Sequence, residues 1–496
     1  MEWPLLKFLI ADAFEYTVYG DPEIAIGGLS SNSKKVSPGD LFIAKRGRTV
    51  DGATFIEEAV RAGAVAIVAE QYHPRFPHIV QIVTRDIGRL EAHLAKRFYR
   101  HADEELFLIG ITGTAGKTTI SFLIRHLFEE LGVPCGLIGS IGSCIKGEWT
   151  SSSHTTPDLL TTHSLLRRMV DEGCRVCAME VSSIGLDQGR TLGLEFDVAI
   201  FSNLTREHLD YHHTMQAYGE AKAKLFRFLG KGNKHFEKIA LLNGDDPYHA
   251  MLTKQCNVQV RTFGFSEDCF MQAKDLALHL TGMSVRLYAQ GEKWEIQSSL
   301  IGRHNAYNLF AALGAGEAWG FSISEMVCVL SSFSTVPGRL ERVENAAGFH
   351  IIVDHAHKED ALLQVLRTLR ECAPARIITV FGCGGDRDRT KRPRMGAIAE
   401  RLSDEVIVTS DNPRSEDETT IAVHIVQGMA KPERARVVLD RKKAIQQAIA
   451  LARPSDVVLI AGKGHEKEQI FSNYAIPFDD VKIAKEMCAA LPLKVQ

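Results

Sequence analysis

Along the chain, apolar and polar positions follow the rhythm of a mixed α/β protein. After a turn at Pro38-Gly39, the run Leu41-Phe42-Ile43-Ala44 predicts a strand, Phe55 to Ala62 a helix and Ala64 to Ala69 another strand, which together read as a small α/β unit. A second unit begins near Leu106, where Leu106 to Ile111 predicts a buried strand. Apolar residues then recur at Ile120, Leu123, Ile124, Leu127, Phe128 and Leu131, one face of an amphipathic helix that Gly132 and Pro134 stop. Further strands at Val176 to Val181, Val198 to Leu204 and Ile239 to Asn243 make this a large α/β domain that ends near Pro337-Gly338. Beyond it, strand runs at Arg376 to Phe381, Glu405 to Thr409 and Asp456 to Ala461 alternate with helical patterns at Ala397 to Leu402 and Ala444 to Ala452. That alternation predicts a third, doubly wound domain. The expected boundaries are 1–103, 104–336 and 337–496.

Bulk properties narrow the class. The 496 residues exceed what one hydrophobic core supports, since single cores stop growing at roughly 250–300 residues. Hydrophobic residues at 45% and charged residues at 24% are the balance of a soluble globular protein. A formal charge of −3 gives no global attraction to nucleic acid or to anionic membranes, so anionic ligands must be held by local groups. Lys7 and Asp12 interrupt the apolar run Leu5 to Ala13 and no basic segment precedes it, which argues against a signal peptide. No apolar stretch approaches the roughly 20 residues of a membrane helix. Ten scattered cysteines fit reduced thiols in a cytoplasmic enzyme, and Cys174 and Cys177 read as small hydrophobes entering a strand.

The chemistry starts between the strand ending at Ile111 and the helix beginning near Thr119. Gly113-Thr114-Ala115-Gly116-Lys117-Thr118-Thr119 is a glycine-rich turn that presents backbone N–H groups at the positive end of a helix, with Lys117 adding a full charge. Such a turn holds nucleotide phosphates, and the Thr118 hydroxyl can ligate Mg²⁺. The spacing departs from GxxxxGK[ST], because Gly110 lies one residue too far upstream. Glu180 closes the run Val176-Cys177-Ala178-Met179 and so stands at a strand end, where a metal bound to phosphate could be reached; His208 is a second candidate ligand.

Three polar clusters, Gly382 to Arg387, Asp411 to Arg414 and Gly462 to Glu466, each directly follow a strand run. In a doubly wound sheet this groups them at the carboxyl edge, where ligands bind. Arg387 and Arg414 can each grip a carboxylate bidentately, and Glu466 can receive an ammonium. Asp386 and Asp388 interrupt the basic run Arg387 to Arg394, and aromatics are missing, which argues against a nucleic-acid patch.

In this order the chain also carries Glu180-Val181-Ser182-Ser183, Glu207-His208-Leu209-Asp210-Tyr211-His212, Tyr218-Gly219-Glu220-Ala221-Lys222, Gly302 to Asn308, Pro337-Gly338-Arg339 and Asp354-His355-Ala356-His357. With the phosphate loop and the three strand-end clusters, Gly384-Gly385-Asp386-Arg387, Asp411-Asn412-Pro413-Arg414 and Gly462-Lys463-Gly464-His465-Glu466 among them, this set spans nearly the whole chain and resembles the Mur ligase family. The part after Gly382 is similar to the members that add diaminopimelate as the third residue of the cell-wall peptide.

The resemblance implies three domains: one for a UDP-linked precursor, a central P-loop-type ATPase, and a Rossmann-like doubly wound domain that brings the incoming amino acid. It implies ATP and Mg²⁺ as cofactors, with UDP-N-acetylmuramoyl-dipeptide and meso-diaminopimelate as small-molecule substrates of a monomer that needs neither nucleic acid nor membrane. By the same resemblance Lys222 is carbamylated and joins Thr118, Glu180 and His208 around the metal, while Lys117 clamps phosphate. Asn305 meets the adenine, Arg339 and His357 the phosphates and Asp354 the ribose. Ser31, Ser33, Arg48, Thr49 and Val50 meet the UDP part, and His154, Thr155, Thr156, Ser182, Gln188 and Arg190 the sugar and peptide. Arg387, Asp411, Asn412, Pro413, Arg414, Gly462 and Glu466 meet diaminopimelate.

The chain departs from the family pattern at a few places. Ala115 stands where asparagine is usual, Ile184 where histidine is common, Glu207 in place of aspartate, and Asp354-His355-Ala356-His357-Lys358-Glu359-Asp360 replaces Asp-Tyr-Ala-His-Thr-Pro-Asp. Lysine-adding Mur ligases usually lack the arginine matching Arg414. Folylpolyglutamate synthase shares the ATP loop but has neither the N-terminal domain nor the Asp-Asn-Pro-Arg cluster. A nucleotide switch would need a guanine-reading Asn-Lys-x-Asp, which is absent.

Overall fold

The computed structural model describes residues 3–47, 50–232 and 234–491. The chain divides into two compact units, residues 1–272 with 310–326, and residues 273–309 with 327–496.

In the first unit, strands β1 (Thr17–Tyr19), β2 (Gly28–Ser30), β3 (Asp40–Ile43), β4 (Ala66–Ala69) and β5 (Val80–Val83) form a sheet of order β1-β5-β4-β3-β2, parallel except at β1. β3 and β4 are buried along their whole length, as expected for parallel strands covered on both faces. Helix Ile87–Phe98, N-capped by Asp86, lays Leu90, Leu94 and Ala95 on this sheet's core together with Leu159 and Leu160. Sequence periodicity places a helix at Phe55 to Ala62; the structure has an α-helix over Ile56–Arg61, preceded by a 3₁₀ turn over Gly52–Phe55 that Asp51 caps.

The same unit holds a larger parallel sheet. Its strands are β6 (Phe107–Thr112), β7 (Cys135–Ile138), β10 (Val176–Glu180), β11 (Val198–Phe201), β12 (Ile239–Asn243) and β13 (Gln259–Gly264), in the order β13-β12-β11-β6-β10-β7. Two short antiparallel strands, β8 (Ser143–Ile145) and β9 (Glu148–Thr150), extend it beyond β7. β6 is central, with Ile111 paired to Glu180 and Thr112 to Phe201, so loops leaving β6, β10 and β11 emerge side by side. A buried ionic knot anchors the other end of the sheet: Asp197 accepts from the Leu108 N–H at 2.8 Å, from Lys238 at 2.5 Å and from Lys234. Cys174 and Cys177 are free and buried, and burial raises both thiol pKa values, in keeping with a packing role. The start of β14 (Met271–His279) pairs with β13.

The second unit contains an antiparallel pair, β15 (Gly282–Ala289) and β16 (Glu292–Ser298), and a six-stranded sheet. The latter comprises β17 (Glu341–Val343), β18 (His350–Asp354), β19 (Ile377–Phe381), β20 (Glu405–Val408), β21 (Ala435–Val437) and β22 (Val457–Ala461), in the order β17-β18-β22-β19-β20-β21 with only β17 antiparallel. Helices Glu359–Glu371, Lys391–Leu402 and Glu418–Val426 contribute to one core, and Arg441–Leu451 and Asp480–Ala489 to another, so the doubly wound reading holds. The hairpin of β23 (Glu468–Ile470) and β24 (Ala475–Pro477) follows the last strand. Among the described residues no helix is long and apolar enough to cross a membrane.

Candidate active site

The loop between β6 and helix Lys117–Glu130 is shaped by two glycines at positive φ, 149° for Gly113 and 90° for Gly116. At Gly113 space as well as angle forbids a side chain, since a Cβ would lie 1.9 Å from Ser202 Oγ. The loop is held from the end of β11. The Ala115 N–H donates to Asn203 Oδ1 at 3.0 Å, the Ser202 hydroxyl to the Ala115 carbonyl at 2.6 Å, and the Thr114 N–H to the Asn203 carbonyl at 2.9 Å. All three clamps use position 115 or 114 through backbone atoms, so Ala115 in place of asparagine leaves them intact. Lys117 donates to the carbonyls of Gly113 and Thr114, both at 2.8 Å.

Beside the loop, Glu180 is buried at the end of β10 and accepts from the Thr118 hydroxyl at 3.1 Å. Its other partners come from Ser140, whose N–H and hydroxyl both donate at 3.0 Å. Sequence reading overlooked Ser140, because a serine after β7 carries no pattern of its own. Lys222 was legible only as a solvated helix charge without the family resemblance. In the structure its ammonium is buried, donates to the Gly113 carbonyl at 2.8 Å and lies 4.5 Å from the centre of the Tyr218 ring. Burial, reinforced by the charge of Lys117, pushes its pKa well down, although Glu207 opposes the shift. Lys117 and Lys222 thus share one acceptor, and a neutral Lys222 amine relieves their repulsion. Tyr218 also lies 3.1 Å, oxygen to oxygen, from the Thr114 hydroxyl. His208 has a left-handed backbone and sits 6.2 Å, ring to ring, from Tyr218, with Nε2 3.9 Å from Glu207.

Among the described residues no three His, Cys, Asp or Glu side chains are grouped to hold a metal by themselves. Thr118 Oγ1 and the Glu180 carboxylate are nevertheless adjacent oxygen donors beside the phosphate loop, the type and small number that suit a Mg²⁺ whose remaining ligands are phosphate and water.

Residues expected to meet the precursor form a connected patch near Glu180. Thr156 donates to the Glu180 carbonyl at 3.0 Å and accepts from the Ser182 N–H at 2.9 Å; Thr155 contacts Ser140. Arg190 donates to the Thr156 carbonyl at 2.7 Å and to Gln188 Oε1, also at 2.7 Å. His154 is exposed. Ile184 sits within helix Ser183–Asp187. Ser31 is exposed, whereas buried Ser33 donates its hydroxyl to Glu58 at 2.6 Å. Val50 is exposed, and Arg48 and Thr49 lie outside the described residues.

In the second unit the loops after β18, β22, β19 and β20 leave neighbouring strands at one edge. Asp354 is buried and accepts from the Leu340 N–H at 2.7 Å; burial raises its pKa, opposed by Arg339. His355 and His357 stack with ring centres 4.5 Å apart, and His355 and His465 at 4.7 Å. Burial lowers all three imidazoles to about 4, so they are neutral bases at neutral pH. Arg339 sits near this stack. Asn305 is buried, donates to the Ile301 carbonyl at 2.8 Å and accepts from Asn308 at 2.8 Å.

The amino-acid cluster is built from turns packed backbone to backbone. A Cβ on Gly385 would lie 1.8 Å from the Pro413 carbonyl oxygen, and one on Gly462 2.6 Å from Asp411 Oδ2. Arg414, at φ 53°, donates to the Gly385 carbonyl at 2.9 Å. Arg387, two residues after Gly385, is exposed. Asn412 donates to Glu466 Oε2 at 2.8 Å. Burial raises the pKa of Asp411, against the pull of Arg441 and Lys463. Burial also opposes ionisation of Glu466, but Lys463, Asn412 and His355 outweigh it and its pKa falls below the ordinary value. Sequence reading gave no role to Arg392, which is fully buried inside the basic run. It grips Glu416 with two nitrogens at 2.9 and 3.1 Å and ties the Gly384 turn to the segment after Arg414.

Comparison with known proteins agrees along the chain. Residues 25–99 match the Mur ligase catalytic domain, residues 111–316 the Mur ligase middle domain and residues 338–464 the Mur ligase glutamate ligase domain. The UDP-N-acetylmuramoyl-L-alanyl-D-glutamate–2,6-diaminopimelate ligase of Geobacillus thermodenitrificans is 42% identical over 470 residues, covering 94% of this chain and 95% of its own. A solved structure of a ligase of that name superimposes with a TM-score of 0.74 at 34% identity, covering 98% of this chain and 99% of the other. The MurF ligase of Thermotoga maritima in complex with ADP shares the fold, with a TM-score of 0.62 at 19% identity over 93% of this chain and 96% of its own. With family domains matched over most of its length and relatives of this similarity, the chain belongs to the Mur ligase family.

Proposed function

We propose that the protein is the ATP-dependent ligase that joins meso-diaminopimelate to UDP-N-acetylmuramoyl-L-alanyl-D-glutamate, making an amide bond in peptidoglycan precursor synthesis. The observation that carries this reading is the pairing, at one sheet edge, of Arg414 with a Glu466 whose carboxylate is held ionised, which suits a ligand end bearing both carboxylate and ammonium. Diaminopimelate has such a second end and lysine lacks its carboxylate.

In this reading residues 1–103 bind the UDP part, residues 104–336 carry out phosphoryl transfer and residues 337–496 deliver the amino acid. The D-glutamate γ-carboxylate oxygen attacks the γ-phosphorus of ATP, the bond to ADP breaks, and an acyl phosphate forms. The amine of diaminopimelate then attacks the acyl carbon; the tetrahedral intermediate loses a proton and expels phosphate to leave the amide. Bringing anions together requires positive charge and fixed donors more than covalent help. Lys117 and the N–H groups of Gly113 to Thr119 provide these at the phosphates, with Arg339 and His357 assigned to the same phosphates, Asp354 to the ribose and Asn305 to the adenine. Magnesium, which neutralises phosphate charge when bound, would be held by Thr118, Glu180, His208 and Lys222 in its carbamylated form. A neutral Lys222 amine is the form that reacts with CO₂.

Thr155, Thr156, Ser182, Gln188 and Arg190 orient the precursor's sugar and peptide, with His154, Ser31, Ser33, Arg48, Thr49 and Val50 completing its contacts. Arg387, Asp411, Asn412, Pro413, Arg414, Gly462 and Glu466 hold diaminopimelate. In this reading the enzyme acts as a cytoplasmic monomer on small molecules. Phosphate release is the test: with precursor, ATP and magnesium present, meso-diaminopimelate should drive it and L-lysine should not. ATP consumption that ignores the amino acid, or that prefers lysine, overturns the proposal.

A further inference from the structure

One residue of the amino-acid cluster has no role in the reading above, although its side chain bonds to two residues named for the substrate, Asn412 and Glu466. Lys463 follows Gly462 at the end of β22 and is fully buried. Its ammonium donates to Asn412 Oδ1 at 2.9 Å, to Glu466 Oε2 at 3.2 Å and to the Glu468 carbonyl at 2.5 Å. Its own carbonyl faces His355 Nδ1 at 2.9 Å. A buried lysine is tolerated only when its charge and donors are used, and here all three donors are.

Two consequences follow from that placement. First, the side-chain amide of Asn412 has one orientation. Its oxygen receives Lys463 Nζ and the Ile470 N–H at 3.0 Å, so its nitrogen must face Glu466. Second, both of these protein donors reach the same Glu466 oxygen, Oε2, from Asn412 and from Lys463. The other oxygen, Oε1, receives neither of these donors, on a side chain that is 36% exposed.

We infer that Lys463 is a positioning residue for the ammonium at the far end of the incoming amino acid: by fixing the Asn412 amide and one oxygen of Glu466, it presents the other as a dedicated ammonium acceptor. This rests on the reading of the cluster as the diaminopimelate site and adds a division of labour to it. Arg414 selects the distal carboxylate, whereas Lys463, acting through Asn412 and Glu466, selects the distal ammonium.

The division is read with two amino acids, meso-diaminopimelate and 2-aminopimelate, the second keeping the distal carboxylate but lacking the distal ammonium. In Lys463→Met, kcat/KM for diaminopimelate should fall about tenfold, the worth of one charge-assisted hydrogen bond, through KM and not kcat. kcat/KM for 2-aminopimelate and KM for ATP should stay within about twofold of the parent. A loss shared equally by both amino acids, or by ATP, overturns the inference. Should Lys463→Met fail to fold, Lys463→Gln keeps a donor and drops the charge, and the same ratio between amino acids decides. Arg414→Ala separates the two layers. If it leaves KM for diaminopimelate unchanged, the site reading itself has failed; if it raises that KM while the Lys463 variants leave the ratio alone, only the role of Lys463 is refuted.

Discussion

Replacing Arg414 with alanine tests the substrate assignment most directly. The guanidinium donates to the Gly385 carbonyl at 2.9 Å and to the Asn412 carbonyl at 3.4 Å, which aims its planar fork along the cluster. Two charge-assisted hydrogen bonds to a substrate carboxylate, each worth about 1.5–3 kcal/mol, would be lost, and water replaces part of them in a site open to solvent. A net loss of about 3 kcal/mol corresponds to roughly a 100-fold rise in KM for diaminopimelate. The fold should suffer less. Arg414 has φ 53°, a left-handed strain that alanine shares, so the stability cost is that of the bonds to Gly385 and Asn412, about 1–2 kcal/mol. Phosphate release measured against diaminopimelate at saturating ATP and precursor, then against ATP at saturating diaminopimelate, separates the two constants. A rise in KM for ATP as large as that for diaminopimelate would refute the assignment.

Lys222→Ala should reduce turnover to near background, with partial recovery on adding short carboxylic acids that stand in for the carbamate; unimpaired turnover would remove Lys222 from the metal set. Gly385→Ala forces a Cβ to within 1.8 Å of the Pro413 carbonyl oxygen, so it should cost about 1–3 kcal/mol by denaturant titration and raise KM for diaminopimelate, while an unchanged midpoint would contradict the close packing. His163 is fully buried with neither ring nitrogen partnered, and burial, then Lys96 and His101, lower its pKa to about 4. Because the folded pKa is the lower one, the unfolded chain takes up this proton first and stability is lost as pH falls from about 6.5 toward 4. His163→Leu should therefore gain about 2 kcal/mol more near pH 5 than near pH 8, and an equal gain at both would exclude the titration.

Strands buried on both faces were legible because their apolar runs are continuous: Ile239–Asn243 has the expected limits, and the runs at Val176, Arg376 and Asp456 end within a residue or a few of β10, β19 and β22. Short or half-exposed strands such as β8, β9, β15 and β16 were not, since their patterns are fixed by pairing with neighbours and not by their own composition. The helix at Lys391–Leu402 begins earlier than its legible portion, Ala397 to Leu402, because Pro393 and the charges of its first turn mask the apolar face. The phosphate loop and the strand-end clusters could be found because glycine and charge stand at strand ends. Ser140, Lys463 and Arg392 could not, because each acts through a partner far along the chain: Ser140 and Glu180 are 40 residues apart, Lys463 and Asn412 51, and Arg392 and Glu416 24.

That composition alone would take Lys222 for a solvated helix charge has a common physical root with those omissions. Lys222 lies on helix Met215–Phe228 with Tyr218, Ala221 and Leu225 on buried positions, so its face points inward whatever its charge. Buried cations at functional sites break the rule that charge marks the surface, and they persist only where an acceptor or a reaction uses them. Lys222 meets one carbonyl oxygen and is pushed toward neutrality, whereas Lys463 meets three acceptors, one of them a carboxylate oxygen. The contrast fits the different tasks proposed for them: modification for Lys222, and orientation of Asn412 and Glu466 for Lys463. Glu466→Gln, which removes the carboxylate facing Lys463, should therefore lower the affinity for diaminopimelate yet leave the dependence of turnover on CO₂ unchanged. A CO₂ requirement that altered in Glu466→Gln would show that the two lysines are coupled and not separate devices.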